Sequence, residues 1–226
     1  MTPDLVIIIP AYREAATIGA VVAGARGFGR VIVVDDNSPD QTGEVARANG
    51  ADVVRNSVNL GYEGSIGRGF EEAAQRGARF VVTIDADGEH DPKYLAEFRR
   101  ILLAGNVPLV IGIRPKRQRL SEVIMGYWIW LRFGVSDILC GMKGYNLDLW
   151  QANGGFDLTG SIGTELAINS IRRGARFEQV HIDGVARQDR PRFDSLMRAN
   201  WRIMKALLRV LVNSKASRHP IARRMP

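Results

Sequence analysis

The stretch Val81-Val82-Thr83-Ile84-Asp85-Ala86-Asp87-Gly88-Glu89-His90-Asp91-Pro92 decides the fold of this chain. A short apolar run, typical of a buried strand, ends in two acids that are one residue apart, Asp85 and Asp87. In an open α/β sheet, ligands bind in the crevice beyond the carboxyl ends of the strands. Two hard oxygen ligands there suit Mg²⁺ or Mn²⁺ holding a diphosphate, although an Asp at such a position can also cap a helix.

The first half of the chain alternates apolar β-rich runs with helical patterns, which is typical of a parallel α/β sheet. We predict strands at Leu5–Ile9, Val31–Asp35, Asp52–Arg55, Phe80–Ile84 and Leu109–Ile113, and helices at Ala15–Ala25, Gly43–Ala48, Ser65–Gln75 and Lys93–Leu103. After a basic loop at 114–119, we predict a helix at Ser121–Phe133, a glycine-punctuated region at Gly134–Gly163 with a strand near Lys143–Leu147, a helix at Thr164–Arg173 and a strand at Phe177–Ile182.

Length and composition fit one domain with an appended element, and 46% apolar residues can fill a sizeable core. We predict a catalytic domain at 1–193 and a basic helix with a tail at 194–226. The single cysteine, Cys140, excludes an intrachain disulfide and fits a reducing compartment. We find neither a signal-peptide pattern nor an apolar run near the ~18 residues of a membrane span, which predicts a cytoplasmic protein.

The net charge of +7 is concentrated at the C-terminal end, where residues 186–226 hold eleven Lys and Arg against two Asp. Such a segment indicates an anionic partner, either nucleic acid or membrane lipid. The rest of the chain contains no module that reads bases, so we predict no nucleic-acid partner.

The segment from about Ser195 to Asn213 is predicted to be a basic amphipathic helix. Arg198, Arg202, Lys205 and Arg209 fall on one stripe at spacings of 4, 3 and 4, and Trp201 and several leucines fill most of the remainder. This pattern suits an anionic membrane interface. A helix docked on its own domain, with a solvated basic stripe, explains the pattern equally well.

Four consecutive predicted strands end in polar loops, which lie on one edge of a parallel sheet and should form one pocket. The loops contain Pro10-Ala11-Tyr12-Arg13-Glu14, Asp35-Asp36-Asn37-Ser38-Pro39-Asp40, Asn59-Leu60-Gly61-Tyr62-Glu63-Gly64 and the acid pair. Tyr12 could stack on a base, and Asp35 or Asp36 could bind base or ribose. Glycine at 61 and 64 lets the backbone approach a ligand closely.

These motifs, P-A-Y-R-E, V-D-D-N-S-P-D-x-T, N-x-G-Y-x-G and D-A-D-G-x-H-D-P, resemble those of the inverting family 2 glycosyltransferases of GT-A fold. The resemblance is greatest to dolichyl- and polyprenyl-phosphate mannose or glucose synthases. It is strong over about residues 4–115 and looser at Gly141–Tyr145, Glu165 and Arg187–Phe193. It implies a GT-A fold, with a mostly parallel central sheet flanked by helices.

The resemblance also implies residues for the nucleotide sugar and its metal. The donor would contact Pro10, Tyr12, Glu14, Asp35, Asp36, Gly61, Asp85, Ala86 and Asp87, with Asp36 favoured over Asp35. The Mg²⁺ or Mn²⁺ would be held by Asp85, Asp87 and Glu89. Because the family commonly has Gln at the last of these positions, Glu89 leaves the metal preference open.

An anionic acceptor needs cations, and arginine binds phosphate through its bidentate fork. The candidates for the acceptor phosphate are Arg114, Arg117, Arg132, Arg190 and Arg192. We predict that Arg117 and Arg132 act in catalysis together with Asp87. A lipid phosphate is already ionised and requires no base, whereas a hydroxyl acceptor would require one, for which Asp137 and Glu165 are candidates.

We therefore predict an inverting, metal-dependent hexosyltransferase that moves mannose or glucose from GDP-mannose or UDP-glucose to a polyprenyl or dolichyl phosphate. It would work peripherally on the cytoplasmic face of a membrane, where a separate anchor subunit is possible. One alternative is a glycosyltransferase with a soluble or glycan hydroxyl acceptor. Another is a non-catalytic subunit that binds nucleotide sugars, which has no need of an intact acid pair.

Overall fold

The computed structural model describes residues 4–115, 120–158, 160, 161, 163–183 and 205, and its central feature is a seven-stranded sheet. The strands are β1 (Leu5–Ala11), β2 (Arg30–Asp35), β3 (Asp52–Arg55), β4 (Phe80–Thr83), β5 (Leu109–Ile113), β6 (Lys143–Asn146) and β7 (Phe177–His181). Their order in the sheet is β3-β2-β1-β4-β6-β5-β7, and β6 runs antiparallel to both of its neighbours while the other pairs are parallel. The predicted mostly parallel α/β sheet is confirmed.

Helices cover both faces of the sheet and bury an apolar layer on each. They are α1 (Ile18–Ala25), α2 (Thr42–Ala48), α3 (Gly61–Gln75), α4 (Leu95–Leu103), α5 (Leu120–Phe133), α6 (Leu147–Asn153) and α7 (Glu165–Arg172). Side chains of α1, α2 and α4 belong to one buried cluster, and side chains of α3, α5, α6 and α7 belong to the other. Among the described residues, no helix has the length and hydropathy of a membrane span.

The chain reverses direction across the sheet between β1 and β4. From β1 it moves outward to β2 and β3, and it then returns to place β4 on the other side of β1. The loops that follow β1 and β4 therefore diverge and leave a crevice at the carboxyl edge, where open α/β sheets bind ligands. Helix α3 packs closely against β1 below this crevice, because a Cβ at Gly69 would overlap the Ile8 side chain.

Two local features differ from the prediction. Helix α1 begins at Ile18 rather than Ala15, because Arg13 has a positive φ of 56° and the Glu14 carbonyl accepts the N–H groups of Thr17 and Ile18 in a turn. Helix α6 was not predicted, although its signals are present: Asn146 accepts the N–H of Asp148 as an N-cap, and Gly154 ends the helix in the left-handed conformation. The predicted boundary at residue 193 and the predicted helix at 195–213 lie outside the described residues, apart from Lys205.

Candidate active site

A cavity of about 600 Å³ opens in the crevice between β1 and β4. Its lining comes from the ends of β1 and β4, the loops after β2 and β3, and the start of α3. The lining residues are Pro10, Ala11, Tyr12, Glu14, Asp36, Asn59, Gly61, Tyr62, Ser65, Asp85, Ala86 and Asp87. The structure thus brings together eight of the nine residues predicted to contact the donor.

Asp36 lines the cavity and at the same time caps helix α3 from a distant part of the chain. Its two carboxylate oxygens accept the backbone N–H groups of Leu60, at 2.7 Å, and Gly61, at 2.8 Å. These donors lie at the start of α3 and would otherwise lack a partner within the helix. The cap explains why α3 begins at Gly61, four residues earlier than predicted, and it fixes the glycine loop against the cavity.

Asp35, the ninth predicted donor residue, is not among the residues that line the cavity. Its side chain is fully buried, accepts the N–H of Ser38 at 2.9 Å and pairs with Arg55 Nη1 at 2.7 Å. The structure thus places Asp35 away from the cavity, and its contact with the donor stays a prediction that this geometry does not support. Of the two adjacent acids, Asp35 holds the turn after β2 and Asp36 faces the cavity.

Asp85 is held from both of its oxygens. The Tyr62 hydroxyl donates to Oδ1 at 3.0 Å, and Nδ1 of the buried His90 lies 3.4 Å from Oδ2, an ion-pair distance. Gly141 packs against the same carboxylate so closely that a Cβ there would overlap Oδ2. The orientation of Asp85 is thus determined by three residues from three parts of the chain.

The groups around Asp85 have shifted pKa values. Burial lowers the pKa of His90, but a contact with Cys140 Sγ at 3.7 Å and the charges of Asp85 and Asp87 outweigh it and raise this pKa to about 9. Loss of solvent around the hydroxyl and the charge of Asp85 raise the pKa of Tyr62 well above its ordinary value. At neutral pH both groups therefore stay protonated, His90 as a cation and Tyr62 as a hydrogen-bond donor.

The acid pair fits a divalent cation that protein and substrate hold jointly. Asp85 and Asp87 both face the cavity, and magnesium sites often combine one or two carboxylates with phosphate oxygens. Within the described residues, no three His, Cys, Asp or Glu side chains form a group that could hold a metal. The predicted third ligand, Glu89, does not line the cavity, and its backbone N–H instead donates to Asp87 Oδ1 at 3.0 Å. Glu89 as a third metal ligand therefore stays a prediction, whereas Asp85 and Asp87 both line the cavity.

A buried cation lies behind the acid pair. Lys143, on β6, donates from Nζ to the Cys140 carbonyl at 2.6 Å. Burial lowers the pKa of Lys143, although the nearby charges of Asp137 and Asp85 act in the opposite direction. The interior behind Asp85 and Asp87 is therefore polar, and it contributes to holding acids at the end of a strand.

Arg114 and Asp137 form an ion pair at the carboxyl end of β5. Arg114 Nε donates to Asp137 Oδ2 at 2.7 Å and Nη2 donates to Oδ1 at 3.0 Å. Burial opposes ionisation of Asp137, but the hydrogen bonds and charge of Arg114 outweigh it and lower the pKa of this acid. Asp137 is thus a weak base whose oxygens are both occupied, and neither residue lines the cavity. The structure thus pairs the predicted base Asp137 with the predicted phosphate ligand Arg114, and neither role gains support from this geometry.

We expect Asp137→Asn to destabilise the fold by about 3 kcal/mol, because removing one partner of a buried pair leaves the other charge uncompensated. Since the pKa of Asp137 is lowered by folding, this stabilisation is complete above the unfolded-state pKa and is lost as the pH falls through the folded-state pKa. Urea unfolding at neutral pH measures the effect. The matched control is Asp52→Asn in the exposed pairs with Arg30 and Arg76, where less than about 1 kcal/mol is expected. Equal losses in the two variants would contradict this assignment.

The other predicted acceptor and base residues do not line the cavity or are not described. Arg132 is exposed near the end of α5, with its guanidinium 5.5 Å from the centre of the Phe133 ring. Glu165 is buried at the start of α7 and accepts the N–H of Leu158 at 2.9 Å, which holds the loop before that helix. Arg117, Arg190 and Arg192 lie outside the described residues.

Six residues at the site had no role in our sequence-based predictions: Ala11, Asn59, Tyr62, Ser65, His90 and Gly141. Tyr62 belongs to the N-x-G-Y-x-G motif and His90 to the motif of the acid pair, so both were quoted without a function. Their contacts with Asp85 join positions 23 and 5 residues apart in the chain, and only the folded sheet brings them together.

Comparison with known proteins supports this description. The sequence profile of Glycosyl transferase family 2 matches residues 6–160. Undecaprenyl-phosphate mannosyltransferase of Micrococcus luteus is 28% identical over 205 residues, which cover 80% of this chain and 83% of that protein. Polyprenol monophosphomannose synthase of Mycolicibacterium smegmatis is 29% identical over 171 residues, or 66% of this chain and 64% of that protein.

The match covers less than two thirds of some relatives. An uncharacterized protein of Methanocaldococcus jannaschii is 27% identical over 159 residues, which are 64% of this chain and 65% of that protein. Among solved structures, glucosyl-3-phosphoglycerate synthase of Mycobacterium tuberculosis, crystallised with uridine diphosphate, has a TM-score of 0.76 at 26% identity. This match covers 91% of this chain and 79% of that one. The same enzyme has also been crystallised with Mn²⁺ and uridine diphosphate.

Proposed function

The chain belongs to glycosyl transferase family 2, and from this premise we propose that it transfers a hexose from a nucleotide-diphosphate sugar to a polyprenyl phosphate, with inversion at the anomeric carbon. The observation that carries the proposal is the cavity at the switch point of the sheet. Tyr12, Glu14 and Asp36, which follow β1 and β2, line it together with Asp85 and Asp87, which follow β4. We place the nucleoside beside the first three residues and the diphosphate beside the last two.

The residues of the cavity have different roles in the transfer. Tyr12 and Asp36 bind the nucleoside, while Gly61 lets the backbone approach it. Asp85, oriented by Tyr62 and His90, and Asp87 hold Mg²⁺ or Mn²⁺ together with the diphosphate. When bound, the cation neutralises the charge that develops on the leaving diphosphate. The attacking oxygen approaches the opposite face of the sugar, which gives inversion.

Two observations support a phosphate as the acceptor. First, neither candidate base lines the cavity, and Asp137 is occupied by Arg114, while an ionised phosphate needs no base. Second, two relatives carry names that specify undecaprenyl phosphate and polyprenol monophosphomannose. The transferred sugar would be mannose or glucose, from GDP-mannose or UDP-glucose. A soluble hydroxyl acceptor is the second candidate, because the structural neighbour is named for phosphoglycerate.

A lipid acceptor resides in a membrane, and we propose that the protein binds peripherally to the cytoplasmic face of that membrane. The basic segment at 195–213 remains a predicted membrane contact, and a separate anchor subunit remains a possible partner. Both depend on residues outside the described part of the chain or on a second protein.

Donor and acceptor can be identified in one series of measurements. Thermal unfolding with GDP-mannose or UDP-glucose, with and without Mn²⁺, should show a metal-dependent rise in midpoint for one donor. Labelled sugar should then pass to a short, water-soluble polyprenyl phosphate. Transfer to 3-phosphoglycerate with no transfer to the prenyl phosphate would refute the acceptor that we propose.

We expect Glu165→Gln to retain activity within about tenfold of wild type, because its described contact holds a loop, whereas losing a general base typically costs ~10²-fold or more. The measurement is kcat with a saturating short prenyl phosphate. Glu178→Gln, at an exposed acid on β7, serves as the matched control. A collapse of kcat in Glu165→Gln alone would favour the hydroxyl acceptor.

A further inference from the structure

Helix α5 exposes an apolar face to solvent in the described part of the chain. Six of its large hydrophobic side chains are each between 41% and 60% exposed: Val123, Ile124, Tyr127, Trp128, Trp130 and Leu131. Among the other described residues, Leu103 and Leu158 are exposed singly, and Val58, Leu60 and Tyr62 are exposed together at the start of α3. A contiguous apolar patch of this kind on a folded domain marks an interaction surface.

The side chains of α5 that are described as packed against the domain lie on one stripe. Gly126 is buried, Ile129 is fully buried, and Phe133 packs against the same core cluster. These positions follow the i, i+3, i+7 spacing of one helix face. Trp128 and Leu131 lie on other sides of the helix, so burying this stripe leaves them in solvent.

The exposed face combines the residue types that favour a membrane interface. Tyr127, Trp128 and Trp130 have amphipathic rings of the kind that is enriched at the level of lipid headgroups. At the end of the helix the guanidinium groups of Arg132 and Arg172 lie 5.5 Å and 5.4 Å from the centre of the Phe133 ring. This places two cations at the carboxyl-terminal end of α5, where an anionic headgroup would complement their charge.

The position of α5 relative to the cavity also suits a membrane. Strand β5 ends at Ile113, on the carboxyl edge where the cavity opens, and only β6 separates it from β4. Two strand spacings amount to about 10 Å. Six residues connect Ile113 to the start of α5, so the helix begins within roughly 25 Å of that edge.

We propose that α5 docks the protein on an anionic bilayer, with Tyr127, Trp128, Trp130 and Leu131 at the boundary between headgroups and acyl chains. Arg132 and Arg172 then contact lipid phosphates. The proposal deepens the proposed function and rests on it for the source of the acceptor, since a polyprenyl phosphate resides in the bilayer. It differs from the predicted membrane role of 195–213, because here the contact is made by a helix of the catalytic domain.

The first test compares two double variants of the full chain by sedimentation with vesicles of phosphatidylcholine and phosphatidylglycerol. Trp128→Ser/Leu131→Ser should reduce binding by about tenfold or more, because the variant lacks two large apolar side chains that would move from water into the bilayer. Leu103→Ser/Leu158→Ser removes two exposed leucines elsewhere and should bind as wild type. Equal binding by both variants, or no binding by wild type, would overturn the proposal.

The second test identifies which segment enters the lipid. A variant with Trp150→Phe and Trp201→Phe keeps tryptophan only at Trp128 and Trp130, and its fluorescence should be quenched by brominated phosphatidylcholine in the anionic vesicles. A second variant keeps only Trp201. Quenching of the second variant alone would overturn the proposal and assign the contact to the C-terminal segment.

Failure of docking can be distinguished from failure of the proposed function. Trp128→Ser/Leu131→Ser should transfer sugar to a short, water-soluble prenyl phosphate at the wild-type rate while losing transfer to a long-chain acceptor in vesicles. Retained transfer to the vesicle acceptor would contradict docking through α5. Absence of transfer to the short acceptor by wild type would instead refute the proposed function.

Discussion

A folded Asp87→Asn variant should lose sugar transfer by about 10²- to 10³-fold or more, because it removes one of the two carboxylates that face the diphosphate end of the cavity. The substitution preserves shape. The amide oxygen of Asn can still accept the Glu89 N–H that Asp87 Oδ1 accepts now, so the turn after β4 should remain. The loss should therefore arise from charge. Donor-induced stabilisation in the presence of Mn²⁺ should disappear together with turnover.

The control for this variant is Asp91→Asn, four residues further along the same loop. Asp91 caps the turn at Pro92–Tyr94 by accepting the Lys93 N–H, and it does not line the cavity. Asn is also a good cap, so both stability and turnover should change little. If Asp87→Asn kept most of its turnover at saturating Mn²⁺, the proposed metal site would be wrong.

The sequence predicted the strands well because each is an apolar run bounded by turn residues. β3 and β5 have the predicted bounds, and β1, β2 and β4 differ from the prediction by one or two residues. The cavity was also predictable, since the loops after parallel strands must meet at one edge of a sheet. These inferences need only local patterns and a general rule of topology.

The sequence was least informative about site residues whose role depends on a partner that is distant in the chain. Asp35 and Asp36 are adjacent and chemically identical, and Arg55 and the start of α3 decide which one faces the cavity. Asp137 looked like a candidate base because the sequence does not reveal that Arg114 occupies both of its oxygens. The structure places Arg132 at the end of α5 beside Phe133, and its role as a ligand of the acceptor phosphate stays a prediction. No periodicity or spacing in the sequence carries this information.

The exposed face of α5 shows that the sequence does not determine whether an apolar helix is buried. The sequence predicted the helix, and its many aromatic residues would ordinarily be assigned to the core. Among the side chains of α5 whose burial is described, Gly126 and Ile129 are buried and Phe133 is half-buried, while six large hydrophobic residues are exposed. A helix that is apolar on nearly every side can be buried or can contact lipid, and only the packing of its neighbours distinguishes the two.

Gly141→Ala should reduce transfer by about 10²-fold or more while leaving the sheet intact, because it displaces the carboxylate of Asp85. A Cβ at Gly141 would overlap Asp85 Oδ2 and would lie 2.6 Å from Cγ, so the carboxylate must turn away. That movement breaks its contacts with Tyr62 and His90 and misplaces one of the two acids at the cavity. The thermal midpoint should change far less than kcat.

The matched control for Gly141→Ala is Gly67→Ala, in the interior of α3, where a Cβ would have no neighbour within 4 Å. Alanine stabilises a helix interior by roughly 0.5–1 kcal/mol relative to glycine, so this variant should be slightly more stable and fully active. Steady-state kinetics at saturating Mn²⁺ compare the two variants. The expected pattern is a fall in kcat for Gly141→Ala alone, because the effect acts through the position of one carboxylate. Wild-type kinetics in a folded Gly141→Ala variant would mean that transfer does not require Asp85 in the orientation fixed by Tyr62 and His90.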